Sequence, residues 1–216
     1  RFKPKEMSKV VYTGNPVRPE VVALSGASYE APAHGTIHLL VFGGSQGARA
    51  LSEIVPAAIS LLPSALKARL SLVQQCRPED LKTVRDLYNK EGVAAELAPF
   101  FQDLPIRMAQ AHLVIGRSGA GTVAELMVIG RPAILVPLPH ALDDNQTPNA
   151  DALADAGGGW RVAQKDLTPE KLASMLEAAF TAPDDLARRA AAAHAQAKPD
   201  AAQRLADVVD KLARAA

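Results

Sequence analysis

Short, nearly unbroken apolar runs alternate along this chain with longer stretches in which apolar residues recur every three or four positions. Ile37–Phe42, Leu70–Cys76, Val93–Leu97, Leu113–Ile115, Pro132–Leu138 and Trp160–Val162 have the length and branching of buried strands. Between and after them, Arg49–Leu62, Glu79–Glu91, Pro105–Ala111, Val123–Ile129 and Pro148–Ala156 read as helices. In the first helix Leu51, Ile54, Val55, Ala58, Ile59 and Leu62 share one stripe. Gly92, Gly130 with Pro132, and Gly157–Gly159 supply stops. Thr168 reads as a cap and Pro169 as the first residue of a helix running to Phe180. Two Ala-rich helical stretches follow Pro183, split by Pro199. No internal repeat is visible. Alternating strands and helices predict an α/β, doubly wound domain with a mainly parallel sheet.

Residues 1–36 stand outside that alternation. Val10-Val11-Tyr12 reads as a short strand, and Gly14-Asn15-Pro16-Val17-Arg18-Pro19 as an extended turn set by its two prolines. Ser25 to Gly35, rich in Gly, Ser, Pro and Ala, reads as a linker or exposed loop. A chain that opens this way is expected to be the latter part of something longer. The expected organisation is a linker and first turn over 1–36, a sheet domain over 37–182 and C-terminal helices over 183–216.

Ligands of doubly wound sheets sit beyond the carboxyl ends of the strands. Three glycine-rich or polar loops, 43–47, 118–122 and 139–147, fall on that edge. In the second, Ser118-Gly119-Ala120-Gly121-Thr122 leads into a helix whose free N–H groups suit a phosphate. Glu125 lies one turn in, too deep to cap, where its carboxylate suits a sugar diol. The plain alternative is a tight turn with a solvated Glu. Gly119-x-Gly121-x-x-Ala124 matches a dinucleotide fingerprint, but it follows a late strand and lacks the acidic residue at the end of the next. His38, inside the first strand, reads as a packed or edge histidine.

Composition narrows the chemistry. With 24 basic and 23 acidic residues the formal charge is +1, and aromatics are 4%, so no basic stripe or stacking platform marks a nucleic-acid partner. The lone Cys76 excludes a disulfide framework and fits a reducing compartment. No apolar run approaches the roughly 18 residues of a membrane span, and the first residues lack a signal-peptide core. A cytoplasmic location is expected. The five histidines show no ligand spacing, Asp143-Asp144 is not an Asp-x-Asp clamp, and no metal or cofactor is expected. Any leaving diphosphate would then be stabilised by helix starts and an arginine. There is no Gly-x-Ser-x-Gly elbow and no Walker lysine.

Gly14–Arg18, Gly43-Gly44-Ser45-Gln46-Gly47-Ala48, Arg117–Glu125 and Pro139–Gln146, in that order and spacing, resemble the carboxy-terminal half of the MurG family. Those bacterial enzymes add N-acetylglucosamine to lipid-linked N-acetylmuramyl-pentapeptide in peptidoglycan synthesis. The resemblance implies the donor-binding, Rossmann-like domain of a GT-B glycosyltransferase that inverts configuration without a metal. It implies that Glu125 holds the ribose hydroxyls of UDP, and that the backbone of Ala120, Gly121 and Thr122, continuing into Val123 and Ala124, holds the diphosphate with the Ser45 turn. Arg18 would lie near the nucleotide, or else be a surface charge. Phe101 would line the uracil pocket through its backbone, or else be core. Gln146 would bind the N-acetylglucosamine hydroxyls. Gly44, Gln46, Leu104 and Asn145 are secondary members of the set, and His140 is read as shaping its loop. Phe101 and Gly121 depart from the residues usual in the family.

The family's amino-terminal domain, with its acceptor site, membrane-facing patch and presumed base, has no counterpart in this sequence. No catalytic residue is therefore assigned, and the chain alone is expected to be inactive. Its implied partners are UDP-N-acetylglucosamine, UDP, that domain and, through it, a lipid-linked acceptor. The full enzyme would be peripheral on the cytoplasmic face of the bacterial inner membrane. Two other readings stay open: a non-catalytic nucleotide-sugar-binding subunit of a split glycosyltransferase, or another GT-B enzyme such as a diacylglycerol glycosyltransferase or UDP-sugar epimerase.

Overall fold

A computed structural model describes residues 9–44, 48–139 and 144–215. Its sheet comprises β1 Ile37–Phe42, β2 Leu70–Gln75, β3 Ala94–Ala98, β4 Leu113–Gly116, β5 Ala133–Leu135 and β6 Gly159–Arg161. All pairings are parallel, in the order β3-β2-β1-β4-β5-β6. Parallel neighbours need crossovers, and helices supply them. The helices are α1 Pro19–Ala23, α2 Arg49–Ser60, α3 Ser64–Lys67, α4 Leu81–Glu91, α5 Leu104–Gln110, α6 Ala120–Ile129, α7 Gln146–Asp155, α8 Pro169–Thr181, α9 Pro183–His194 and α10 Ala201–Ala215, of which α2–α7 lie between strands. The doubly wound domain expected from the alternation is present.

Strand periodicity divides the core in two. Ile37, Leu39 and Val41 face one way, against Leu51, Val55 and Ile59 of α2 and Leu172 and Leu176 of α8. Leu40 and Phe42 face the other, against Leu126 and Ile129 of α6, Leu153 of α7 and Ala193 of α9. Each such aliphatic side chain, once buried, contributes about 1.5–3 kcal/mol, so these layers outweigh any surface ion pair. Thr168 caps α8 as expected, its hydroxyl accepting from the Lys171 N–H at 3.2 Å. Helix α10 keeps Leu205, Val209 and Leu212 exposed.

The leading segment departs from expectation. Val10–Tyr12 forms no strand, and Val11 and Tyr12 are 62% and 76% exposed. The free sheet edges are β3 and β6, whereas this segment runs against the α9–α10 turn. At Gly14 (φ +85°) an added Cβ would lie 2.8 Å from Lys198 Cβ, so only glycine fits that approach. Ser25–Gly35 is strapped down instead of hanging free. Arg69 donates to the carbonyls of Pro32 and Gly35, each at 2.7 Å. The fully buried Arg131 donates to those of Ala27, Ser28, Ala109, Ile129 and Gly130. Helices α5 and α6 end at Ala109–Gln110 and Ile129, so their negative dipole ends surround that guanidinium. Helices α1 and α3 are too short for periodicity to reveal.

His38 sits at the sheet's amino edge, as expected. Its N–H donates to His112 Nδ1 at 2.9 Å, and the His112 N–H donates to the His38 carbonyl at 2.8 Å. Tyr29 donates its hydroxyl to the His112 carbonyl at 2.8 Å. Burial, reinforced by His38, Arg131 and Arg69, pushes the His112 pKa down to about 4. Its Nδ1 can accept only while the ring is neutral. The unfolded chain takes up that proton near pH 6.5 and the fold refuses it until about pH 4. Stability is therefore full above about pH 6.5 and falls as pH drops toward 4. The loss, discounted because the ring is half-buried, is about 1–2 kcal/mol. Urea unfolding at pH 7 and pH 4.5 should show that loss in the native chain and a smaller one in His112→Asn, whose amide oxygen accepts without titrating.

Candidate nucleotide site

The sheet order reverses between β1 and β4, so the connections leaving those strands diverge to opposite faces and open a crevice at their carboxyl ends. A cavity of about 470 Å³ fills it, between Gly43–Gly44 after β1, Arg117 and Gly119 after β4, and Leu138–Pro139 after β5. Gly44 holds φ +84° with nothing within 4 Å of an added Cβ, so its turn conformation alone demands glycine. Three helices begin here, at Arg49, Ala120 and Gln146. Among the described residues α2 and α6 have no side-chain cap, their cap positions being Ala48 and Gly119, whereas α7 has one, since Asp144 Oδ1 accepts the Thr147 N–H at 3.3 Å. The first N–H groups of α2 and α6 are without a described side-chain partner and suit water or a ligand. The described lining residues include no carboxylate; Arg117 adds positive charge, while Arg49 is paired with Glu53 at 2.7 Å.

The motif around α6 is held by side chains that do other work than capping. Ser118, fully buried, donates its hydroxyl to the Gln146 carbonyl at 2.8 Å. Asn149 of α7 donates its amide to the Ser118 carbonyl at 3.0 Å. Together they lock the start of α7 to the approach of α6. Arg117 is buried, donating to the carbonyls of Val136 and Pro137, both at 3.1 Å, and to Gln164 Oε1 at 2.6 Å. Burial pulls its pKa below the ordinary arginine value. Its charge is shared among neutral oxygens at the cavity floor. Ser118, Asn149 and Gln164 were given no role from sequence, and the last two carry no local signal.

Helix α6 starts at Ala120, three residues earlier than periodicity suggests, and so takes in the glycine motif. Glu125 then lies in its second turn. Its carboxylate receives a two-pronged contact from Arg18, Nε to Oε1 at 3.0 Å and Nη2 to Oε2 at 3.2 Å. Arg18 immediately precedes α1, which packs on α6 through the buried Val21. The Arg18 side chain is 49% exposed, but it is not a free surface charge.

The other expected residues divide. Gly44, Thr122 and Gln146 line the large cavity. Ala120, Val123 and Ala124 border a smaller hollow of about 140 Å³ beside Tyr12 and Asn15. Gly121 is exposed, with open space where a side chain would stand. Gln146 is the first residue of α7, and its Oε1 accepts the Leu138 N–H at 3.0 Å. Asn145 is exposed. Phe101 is buried, with the Arg107 guanidinium 4.4 Å above its ring, so a ligand would meet its backbone. Leu104 opens α5, half-buried. Ser45, Gln46 and His140 lie outside the described residues. Among the described residues no group of His, Cys, Asp or Glu side chains is arranged to hold a metal, and no helix is long and apolar enough to cross a membrane.

The all-parallel sheet order, with helices on both faces, defines a Rossmann-type α/β domain. The family model for the glycosyltransferase family 28 C-terminal domain matches residues 38–205, and the chain belongs to that family. It is 56% identical over 208 residues to the UDP-N-acetylglucosamine--N-acetylmuramyl-(pentapeptide) pyrophosphoryl-undecaprenol N-acetylglucosamine transferase of Chelativorans sp. (strain BNC1), covering 95% of this chain and 55% of that one. It is 57% identical over 205 residues to the enzyme of the same name from Rhodospirillum centenum, covering 94% and 54%. The chain thus spans about half the length of the curated relatives it matches. The crystal structure of Acinetobacter baumannii MurG is similar at a TM-score of 0.77 and 32% identity, over 94% of this chain and 56% of that one. A UDP-GlcNAc 2-epimerase from Neisseria meningitidis, at 15% identity and a TM-score of 0.57 over 82% of this chain and 44% of that one, shares the fold alone.

In the Arg18–Glu125 pair the arginine side chain is half exposed and the carboxylate mostly buried, and a pair open to solvent on one side contributes about 0.2–1 kcal/mol to folding. Arg18→Gln should shift denaturant stability by less than about 1 kcal/mol. A larger loss in urea titration would make the pair a structural clamp.

Proposed function

We propose that this chain binds UDP-N-acetylglucosamine and serves as the donor half of an inverting N-acetylglucosaminyltransferase that converts lipid-linked N-acetylmuramyl-pentapeptide to its disaccharide form. The observation that carries this reading is the convergence of three helix starts on one cavity, two of them, α2 and α6, without a side-chain cap among the described residues. The N–H groups of Ala120, Gly121 and Thr122 suit the diphosphate, and the Gly43–Gly44 turn suits its other side. Glu125 accepts from the ribose diol while Arg18 steadies its carboxylate. Gln146 has its Oε1 engaged by Leu138, which turns its amide N–H groups to the hexose hydroxyls. Phe101 and Leu104 mark the loop for the base. Ser45, Gln46 and Asn145 complete the set proposed from sequence.

In the full enzyme an acceptor hydroxyl attacks the anomeric carbon from the face opposite the leaving group, and UDP departs with inversion. Negative charge then grows on the diphosphate beside donors and arginines already in place, so little reorganisation is required. This chain supplies donor binding and leaving-group stabilisation. The base and the acceptor site belong to the further domain of a longer enzyme, which acts at the cytoplasmic face of the inner membrane.

Calorimetric titration of the chain with UDP and UDP-N-acetylglucosamine should show saturable binding; silence at millimolar ligand would sink the assignment. Glu125→Ala removes two hydrogen bonds to a charged acceptor, so UDP affinity should fall by about tenfold or more. Affinity for inorganic pyrophosphate should stay within about threefold, since the ribose contact is absent from that ligand. Equal losses for both ligands would place Glu125 elsewhere than at the ribose.

A further inference from the structure

Gln75, the last residue of β2, has a buried side chain (6% exposed) whose amide makes three loop contacts. Its Oε1 accepts the Gly43 N–H at 3.1 Å. Its Nε2 donates to the Gly44 carbonyl at 2.9 Å and to the Pro99 carbonyl at 3.0 Å. The backbone of β2 does not need these bonds, because its ladder to β3 is complete through Gln75↔Ala98 and the Cys76 N–H to the Ala98 carbonyl. The side chain instead joins two loops on the carboxyl edge of the sheet. One is the glycine turn after β1 and the other is the Pro99–Asp103 loop after β3, which carries Phe101.

We infer that Gln75 is a positioning residue for base recognition, holding the Pro99–Asp103 loop at a set distance from the Gly43–Gly44 turn. This rests on the uridine-nucleotide reading above. A nucleoside diphosphate must meet both loops at once, its phosphates at the turn and its base at the Phe101 backbone. A base read by backbone N–H and C=O groups is discriminated only while those groups are held in register with the phosphates. The amide uses one acceptor and both donors on three different backbone groups. An apolar residue of equal size would fill the core and leave all three without a partner. The neighbouring Gln74 is equally buried, but its amide serves Tyr88 and the Leu51 carbonyl of α2, away from the edge loops. It is a built-in control for burial alone.

Affinities for UDP and CDP, which share ribose and diphosphate and differ only in the base edge, isolate the effect. The native chain should prefer UDP. In Gln75→Met the UDP-to-CDP affinity ratio should fall by about fivefold or more, since one to two loop hydrogen bonds are lost. In Gln74→Met the ratio should stay within about twofold although that variant is destabilised. Gln75→Glu, nearly the same shape, serves if the methionine variant does not fold. At neutral pH it places carboxylate oxygens against two carbonyls and should also lower the ratio. A native-like ratio in a folded Gln75 variant, or an equal fall in Gln74→Met, overturns the proposal. Failure of the native chain to bind UDP at all would instead overturn the nucleotide reading on which it stands.

Discussion

An α-helix leaves its first N–H groups without partners unless a side chain caps them, and in this protein α2 and α6 begin at the same end of one parallel sheet with no such cap among the described residues. Ala48 and Gly119 offer no side chain that accepts, while α7 beside them is capped by Asp144. Ser118, one residue from a capping position, bonds across to α7 instead. Both starts lie where the strand order β3-β2-β1-β4-β5-β6 opens a crevice. Donors with no internal partner, aimed at a cavity lined by arginines, favour an anion. The rest of the domain keeps those helix starts where they are.

Much of that work falls to buried polar side chains that bond to backbone oxygens. Arg131 gathers carbonyls from the leading segment and from the ends of α5 and α6. Arg117 does the same for the end of β5. Neither has a carboxylate partner among the described residues, so each depends on complete carbonyl coordination to offset burial of its charge. Gln75, Ser118 and Asn149 add neutral braces between neighbouring loops. Removing one partner from such a cluster leaves a buried group unsatisfied, which costs more than the bond itself contributed. The arrangement therefore has little freedom to drift, a condition for binding a ligand through backbone groups.

The relatives extend well beyond the length of this chain. The described lining of the cavity offers backbone donors and Arg117 and no carboxylate, and Glu125 stands outside that lining. Arg18 reaches Glu125 from the leading segment, across more than a hundred residues of sequence.

The strands, most helices and their doubly wound arrangement were legible in the sequence, because periodicity and glycine or proline stops are local properties of the chain. The positions of Gly44 and Gln146 beside the cavity followed from the same strand-turn-helix pattern. Val10–Tyr12 was misread because strand propensity says nothing about whether a sheet edge is within reach. Ser25–Gly35 was read as a linker or exposed loop; its restraints, Arg69 and Arg131, lie far along the chain. The Arg18–Glu125 pair and the braces made by Gln75, Ser118, Asn149 and Gln164 belong wholly to tertiary structure. Each depends on which loops the strand order makes neighbours, and no spacing in a linear sequence encodes that distance.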